Sequence, residues 1–249
     1  MTSAVAPRIG PLPAAEWTAE DRALMRGHLT RAERYLSGAA DAPPMPPILG
    51  LLARHVRVGG PWLAFSGRLL EDGTLRPRDR ELLILRVGAR TRCRYLWAEH
   101  VRIGRETGLT DADLAAVATG TAVAAGAEAA AGAEAASGTA VAAGAEAGGW
   151  AGRDRDLLAA VDQLVDTHVV DDPTWARLAE EFDERELLEL MFVVGSYLCL
   201  AMVLNSVGLA PPAEPDDAPV PWPGPAASPS PVDPQKEENH AAFPETAGR

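Results

Sequence analysis

The sequence predicts an all-α fold, and three observations lead to that prediction. Apolar residues recur at helical spacing along most of the chain. No segment alternates apolar and polar residues between glycine-bounded turns, as strands would. Helix-start signals precede several apolar runs, for example Thr18 followed three residues later by Asp21. With 249 residues, of which 47% are hydrophobic, the chain is long enough to bury a substantial core.

The N-terminal part is expected to form a helix and then a linker. The capping signal at Thr18 predicts a helix that runs to about Tyr35, and the proline-rich stretch SGAADAPPMPP then breaks the chain. Two short helices follow, PILGLLARHVRV and PWLAFSGRLLEDG, which Gly59 and Gly60 are expected to separate because glycine weakens a helix.

Two helices are predicted in the middle of the chain. The first runs from Arg78 to about Arg90 and the second from about Arg92 to Thr107. Another helix start follows at Thr110. If the chain reverses between the first two helices, side chains from both can meet in one pocket.

The composition then changes twice. Only small residues and glutamate occupy 119–149, where GTAVAAGAEA occurs twice, so an insertion without a core of its own is expected there. Order resumes at RDRDLLAAVDQLVDTH, and a helix with Asp172 as its predicted N-cap and a long helix from Asp183 follow. The predicted organisation is an N-terminal helix and linker (1–46), a core (47–118), the insertion (119–149), C-terminal helices of the same domain (150–209) and a disordered Pro-rich tail (210–249).

Charge and targeting signals exclude several classes of function. A formal net charge of −12 disfavours nucleic acid and anionic membrane surfaces as partners. The N-terminus has no basic region followed by an apolar one, so a cytoplasmic location is expected. The uncharged segment Leu190–Ala210 has nearly the length of a membrane span, but polar residues dilute it and its flank is acidic. A buried helix is therefore favoured over a span.

Glu81, Cys93 and His100 are the candidate site. Cys93 and His100 are seven residues apart, close to two helical turns, and Trp97 lies between them on the same stripe. Cys93 is expected in the first turn of its helix, where free N–H groups and nearby arginines would lower the pKa of the thiol. Burial would act in the opposite direction. Glu81 could reach the same pocket as a proton acceptor.

Each of these residues also has an ordinary structural interpretation. A helical cysteine is commonly a small core residue, and a glutamate in a first turn commonly lies at the surface. Tyr95, Leu96 and Trp97 would line the pocket, although Tyr95 and Trp97 are more typical of packing residues than of stacking platforms. Cys199 fits a core position, and both cysteines are expected to be free thiols because no export signal is visible. One Cys–His pair with a distant Glu does not complete a tetrahedral metal site.

The pattern Glu-x11-Cys-x2-Leu-x3-His resembles the carboxymuconolactone decarboxylase and alkylhydroperoxidase D (AhpD) family. The surrounding segments RDRELLILRV, CRYLWAEHVRIGRETGLTD and YLCLAMVLNSVGL are similar as well. The resemblance implies an AhpD-like helical bundle, a homo-oligomer (trimer or hexamer), and chemistry without metal or organic cofactor. In the peroxidase branch a second cysteine follows the first by three residues, and here that position is Leu96. No CxxC disulfide can form.

Three functions remain open. The first is a cofactor-independent lyase or isomerase of the decarboxylase type, acting on a small carboxylic or carbonyl compound, in which His100 and Glu81 transfer protons and Cys93 is auxiliary. The second is a thiol peroxidase with peroxiredoxin activity, in which Cys93 alone is the nucleophile and an external thiol restores it. The third is a non-catalytic helical oligomer with a relict site.

Overall fold

The computed structural model describes residues 6–37, 39, 42–119 and 152–211. Within these ranges the regular structure is α-helical apart from one short 3-10 helix, and no strand occurs, so the all-α prediction is confirmed. Most of the predicted insertion and nearly all of the Pro-rich tail lie outside the described residues. The helices are α1 (Ala19–Met25), α2 (Thr30–Leu36), α3 (Pro47–Ala53), α4 (Val56–Glu71), α5 (Pro77–Arg90), α6 (Arg94–Glu106), α7 (Asp111–Thr119), α8 (Arg153–Asp166), α9 (Asp172–Glu181) and α10 (Glu184–Val207).

Helix α5 lies at the centre of the larger hydrophobic core. Leu82, Leu83, Ile84 and Leu85 follow one another along it and are each at most 1% exposed. The middle of α5 is apolar on every face and must therefore be covered on every side, and α6, α7, α8 and α10 pack around it. Several charged side chains of α5 are buried with its apolar ones, among them Glu81. A smaller second core joins the N-terminal helices to α3 and α4.

Helix α10 is the long apolar helix that the sequence predicts. Asp183 caps its start with a capping box, and Gly208, at φ 72°, ends it in the left-handed conformation. By length and composition it could cross a membrane, but 56% of its most apolar window is buried inside the molecule. One face packs on α5 and α8, and the opposite face exposes Leu188, Phe192 and Met202.

The prediction of one helix from Thr18 to about Tyr35 is wrong. The capping box at Thr18 is present, but α1 ends at Met25 and α2 begins only at Thr30. Gly27 separates them with a φ of 77°, a left-handed conformation that a continuing helix cannot contain.

The prediction that Gly59 and Gly60 separate two helices is also wrong, because α4 runs through both of them. A Cβ atom at Gly60 would lie 2.4 Å from the carbonyl oxygen of Leu24, and one at Gly59 would lie 2.4 Å from that of Leu52. These glycines allow neighbouring backbones to approach closely. Their role is packing, and the pattern of the sequence alone does not distinguish packing from a helix break.

The start of α9 lies one residue from the predicted position. Asp171, and not Asp172, is the N-cap, and its side chain accepts a hydrogen bond from the Thr174 N–H. The predicted start at Thr110 is confirmed, since Thr110 and Asp113 exchange capping bonds before α7.

A ladder of ion pairs joins α5 to α8. The motif Arg-Asp-Arg-acid occurs at the start of both helices, at 78–81 and at 153–156. Arg78 binds Asp154 through two bonds of 2.8 Å, and Arg153 binds Asp79 in return at 2.6 and 2.8 Å. The pairing is reciprocal, so the two copies of the motif face each other. Further along, Arg86 pairs with Asp162 and Arg90 with Asp166, and the constant spacing shows that the helices run in the same direction.

Candidate functional site

The structure brings Glu81 and His100 together in the interior. Glu81 lies in the second turn of α5 and His100 in the second turn of α6. Nδ1 of His100 is 2.7 Å from Oε2 of Glu81. Glu81 is 1% exposed and His100 is 8% exposed. A hydrogen bond of this length between an imidazole and a carboxylate is typical of a charge-assisted pair, and it fixes the orientation of the ring.

The turn between α5 and α6 brings the two residues together. Cys93 N–H donates to the carbonyl oxygen of Gly88, and Arg92 adopts a left-handed φ of 53°. This tight reversal returns α6 across α5, with Leu96 and Trp97 packed at Gly88, where a Cβ atom would lie 3.5–3.6 Å from them. The connection predicted from the sequence is therefore present.

Tyr197 on α10 completes the surroundings of the imidazole. Its ring lies 5.1 Å from the His100 ring, centroid to centroid, in an edge-to-face arrangement at 88°. Burial raises the pKa of Tyr197, and the negative charge of Glu81 raises it further. The phenol is therefore neutral at physiological pH and can donate a hydrogen bond. Its position in the sequence, almost 100 residues after His100, gave no signal of this contact.

Nδ1 of His100 is engaged with Glu81, which leaves Nε2 for a reacting molecule. Among the described residues, no hydrogen bond to Nε2 occurs. An imidazole with one nitrogen held by a carboxylate and the other unbound is suited to accept or donate a proton.

Cys93 differs from the sequence-based expectation. It is the N-cap of α6, one residue before the helix, and it is fully buried at 0% exposure. Burial raises the pKa of the thiol, and the N–H groups of Leu96 and Tyr95 offset that effect only in part. The expectation of a lowered pKa is therefore wrong, because desolvation outweighs the helix N-terminus.

Cys93 does not take part in the hydrogen bond between Glu81 and His100. In the described part of the chain, no hydrogen bond or ion pair joins its sulfur to Glu81 or His100. Glu81 and His100 form a dyad, and Cys93 is a buried neighbour at the start of the same helix.

The three predicted pocket residues are all buried, at 5% exposure or less. The hydroxyl of Tyr95 accepts a hydrogen bond of 3.2 Å from the N–H of Ile48, which ties α6 to the start of α3. Burial raises the pKa of Tyr95 as well. Leu96 and Trp97 belong to the main core. Their contribution to a substrate pocket stays a prediction.

Arg80 is a buried charge that the sequence analysis missed. It precedes Glu81 on α5 and is 8% exposed. Its Nε atom is 4.0 Å from Oε1 of Glu81, beyond hydrogen-bond distance, and is buried without a partner. The repeated Arg-Asp-Arg-acid motif was visible in the sequence and could have drawn attention to it.

Two surface clefts lie elsewhere. One, of about 300 Å³, is lined by residues of α2 and α4 such as Thr30 and Glu71, and the other by N-terminal residues such as Tyr35 and Met45. Neither includes Glu81, Cys93 or His100. No group of three or more His, Cys, Asp or Glu side chains that could hold a metal ion occurs in the described ranges.

The central part of the chain, which holds the dyad, matches a known protein family. Residues 58–138, which span the Glu81–His100 dyad and Cys93, match the model of the carboxymuconolactone decarboxylase family. This segment, residues 58–138, is similar to the family. Leu96 occupies the position at which the peroxidase branch of that family has its second cysteine.

Solved structures show the same fold. The core of a peroxidase-related protein from Ralstonia eutropha JMP134, described as alkylhydroperoxidase AhpD, has a TM-score of 0.59 at 18% identity, covering 85% of this chain and 95% of that one. A peroxidase-related protein from Silicibacter sp. TM1040 has a TM-score of 0.56 at 15% identity, covering 89% of this chain and 94% of that one. At these identities the likeness concerns the fold. No protein of curated function matches the chain.

Proposed function

We propose that this chain is a cofactor-independent lyase or isomerase that transfers protons on a small carboxylic or carbonyl compound. The observation that carries the proposal is the buried hydrogen bond of 2.7 Å between His100 and Glu81. Glu81 holds the imidazole so that Nε2 faces the reacting carbon, and it stabilises the imidazolium that forms when His100 takes a proton. Such a protein acts in the cytoplasm on a small molecule and needs neither nucleic acid nor a membrane.

The proposed steps balance without an oxidant. In isomerisation, Nε2 of His100 removes a proton from a carbon next to a carbonyl, and the electron pair of the C–H bond moves into an enolate. In a substrate with a C=C bond conjugated to that enolate, the imidazolium then returns the proton to the far carbon of the conjugated system, and the C=C bond shifts toward the carbonyl group. In decarboxylation, the bond to the carboxylate breaks, carbon dioxide leaves, and His100 protonates the carbon that kept the electron pair. Tyr197, whose phenol stays protonated, is suited to donate a hydrogen bond to the enolate oxygen.

A thiol peroxidase is the second candidate. It is favoured by the two structural neighbours, which are described as peroxidase-related, and by the cap position of Cys93. The thiolate would attack the peroxide, break its O–O bond and become a sulfenic acid, and two equivalents of an external thiol would restore it. Burial of Cys93 and its raised pKa disfavour this cycle.

Deuterium exchange and peroxide consumption separate the candidates. The protein is incubated in D2O with levulinate and with carboxylated lactones, and deuterium at carbon is followed by proton NMR. A parallel sample receives hydrogen peroxide and dithiothreitol. Catalysed exchange that His100→Ala abolishes supports the proposal. Peroxide turnover that depends on Cys93, without exchange, supports the peroxidase, and the absence of both supports the non-catalytic oligomer.

A further inference from the structure

Arg80 is a buried arginine whose Nε atom has no hydrogen-bond partner among the described residues. Its side chain is 10% exposed, its Nε atom is buried without a partner, and among the described residues its one ionic neighbour is Glu81 at 4.0 Å. An arginine has five N–H donors in a planar fork. Buried charges are normally paired and hydrogen-bonded, because a buried donor without a partner loses its hydration and gains nothing in return.

In the second copy of the Arg-Asp-Arg-acid motif, at 153–156, the arginine is hydrogen-bonded. Arg155 occupies the position of Arg80, and Asp156 that of Glu81. Arg155 turns onto Asp156 and donates two hydrogen bonds, of 3.2 and 3.3 Å, and Arg177 donates a third of 2.8 Å. Arginine pairing with the next carboxylate is therefore compatible with this helix geometry. In the first copy, His100 binds the carboxylate, and in the described part of the chain the Arg80 side chain makes no hydrogen bond to it.

The unused donors lie next to the dyad. Glu81 contacts both His100, at 2.7 Å, and Arg80, at 4.0 Å, and the ring of Tyr197 lies against the imidazole. When His100 is protonated, these side chains carry one net positive charge: two cations against one carboxylate. A bound anion would remove this excess.

We propose that Arg80 binds a carboxylate of the substrate beside the Glu81–His100 dyad. The chemical class is a small organic acid, because a planar guanidinium fork matches a carboxylate with two parallel hydrogen bonds. The catalytic part of this inference rests on the proposed function, and the binding part does not. The bound carboxylate is the one that the product keeps, since pairing with arginine stabilises the carboxylate and opposes its loss as carbon dioxide. A decarboxylation substrate would therefore be a diacid, and an isomerisation substrate a keto acid or lactone acid.

Binding of levulinate and of its neutral methyl ester tests the inference. Affinities are measured by ligand-observed NMR for the wild-type protein, Arg80→Met, Arg80→Lys and the matched control Arg155→Met. We expect levulinate to bind the wild type and Arg155→Met alike, and to bind Arg80→Met at least tenfold more weakly. Arg80→Lys should be intermediate, because it keeps the charge and loses the fork. The ester should not bind measurably.

A second readout does not depend on substitution. In nitrogen-15 spectra of the wild type, the Arg80 Nε–Hε signal should shift on addition of levulinate and not of the ester. Equal affinity for acid and ester, unchanged affinity in Arg80→Met, or no levulinate binding to the wild type would each overturn the inference. His100→Ala separates the two proposals, because it should still bind levulinate even if it, or the wild type, catalyses no exchange.

Discussion

Arg86 of α5 donates two hydrogen bonds of 2.7 Å each to Asp162 of α8, and a third of 2.8 Å to the carbonyl oxygen of Val117 at the end of α7. The two charged side chains are 6% and 14% exposed. One arginine thus joins three helices around the core that holds the dyad. Asp162 also contacts Arg90 at 2.9 Å.

Arg86→Met should therefore destabilise the fold strongly. It removes both hydrogen bonds of Arg86 to Asp162, whose carboxylate keeps its contact with Arg90, and it leaves the Val117 carbonyl without this donor. Breaking a buried pair from one side costs about 3–5 kcal/mol, and the remaining Arg90 contact lowers that cost. The free energy of unfolding from urea titration measures the loss. Arg102→Met is the control, because Arg102 pairs with Glu106 at the surface, where such a pair contributes about 0.2–1 kcal/mol. Equal losses in the two variants would show that burial of the Arg86 pair is unimportant.

The helices with strong local signals could be predicted from the sequence. The structural roles of individual glycines and arginines could not. The capping pairs at Thr18 and Thr110 are local, since every atom involved lies within three residues. Gly60 reads as a helix breaker because its reason, the carbonyl of Leu24, is 36 residues away.

The same limit applies to the site. Glu81 and His100 were predicted because their spacing and types resemble a known family. The place of Cys93 at a helix start predicts a lowered pKa for its thiol. Tertiary packing decides whether that helix start is exposed to solvent or buried, and the local sequence does not show it. Arg80 and Tyr197 needed the fold, because their significance lies in contacts that are made, or left unmade, across helices.

The two cysteines should differ in alkylation. Cys199 is exposed, so the core position predicted for it is wrong. Cys93 is buried with a raised pKa, so it has a smaller thiolate fraction at neutral pH than an ordinary thiol. Iodoacetamide at pH 7 should modify Cys199 first, and intact mass should show a single adduct that Cys199→Ser removes. His100→Ala should leave the order unchanged, because His100 does not bond to the thiol. Modification of Cys93 before Cys199 would contradict its burial and favour the peroxidase.

The free energy of unfolding should fall in alkaline solution, in part because the buried thiol of Cys93 resists ionisation. Because burial raises the pKa of this thiol, the folded protein holds its proton more tightly than the unfolded chain does. The stabilisation is complete below the unfolded pKa of about 8.5 and is lost as pH rises from there through the folded pKa, at up to about 1.4 kcal/mol per pH unit.

Urea titrations between pH 7 and pH 10 test this effect. Cys93→Ala should lose stability less steeply with pH than the wild type, whereas the control Cys199→Ala should keep the wild-type slope. Parallel slopes for the wild type and Cys93→Ala would contradict the assignment. Tyr95 and Tyr197, whose pKa values are raised too, contribute to the slope in all three proteins.

One face of α10 is apolar and exposed. Leu188 and Met202, at 52% and 58% exposure, lie seven residues on either side of Gly195, above which a Cβ atom would meet open space. The face is therefore nearly symmetric about Gly195. The acidic start of α10 is at one end, and the exposed residues Arg8 and Arg92 lie near the other. We propose that a second copy of this chain covers the face in an antiparallel two-fold contact, which suits a hexamer and not a cyclic trimer.

Sedimentation velocity tests the contact. Leu188→Glu should dissociate it, because the charge would be buried against the partner's Met202, whereas the control Val169→Glu adds the same charge at an equally exposed apolar residue elsewhere. Gly195→Cys in a Cys199→Ser background should form a disulfide-linked dimer under mild oxidation. A wild-type monomer, or an assembly that Leu188→Glu leaves intact, would contradict the proposal.

Deuterium exchange at carbon, compared between His100→Ala and Cys93→Ala on the substrate that responds best, tests the central claim most directly. If the dyad transfers the proton, His100→Ala should lower the rate by about a hundredfold or more. Glu81→Gln should also lower it, since the imidazole loses the carboxylate that orients it, and Cys93→Ala should stay within about threefold of the wild type because the thiol does not bond to the dyad. A large loss in Cys93→Ala together with a near-normal rate in His100→Ala would contradict the account.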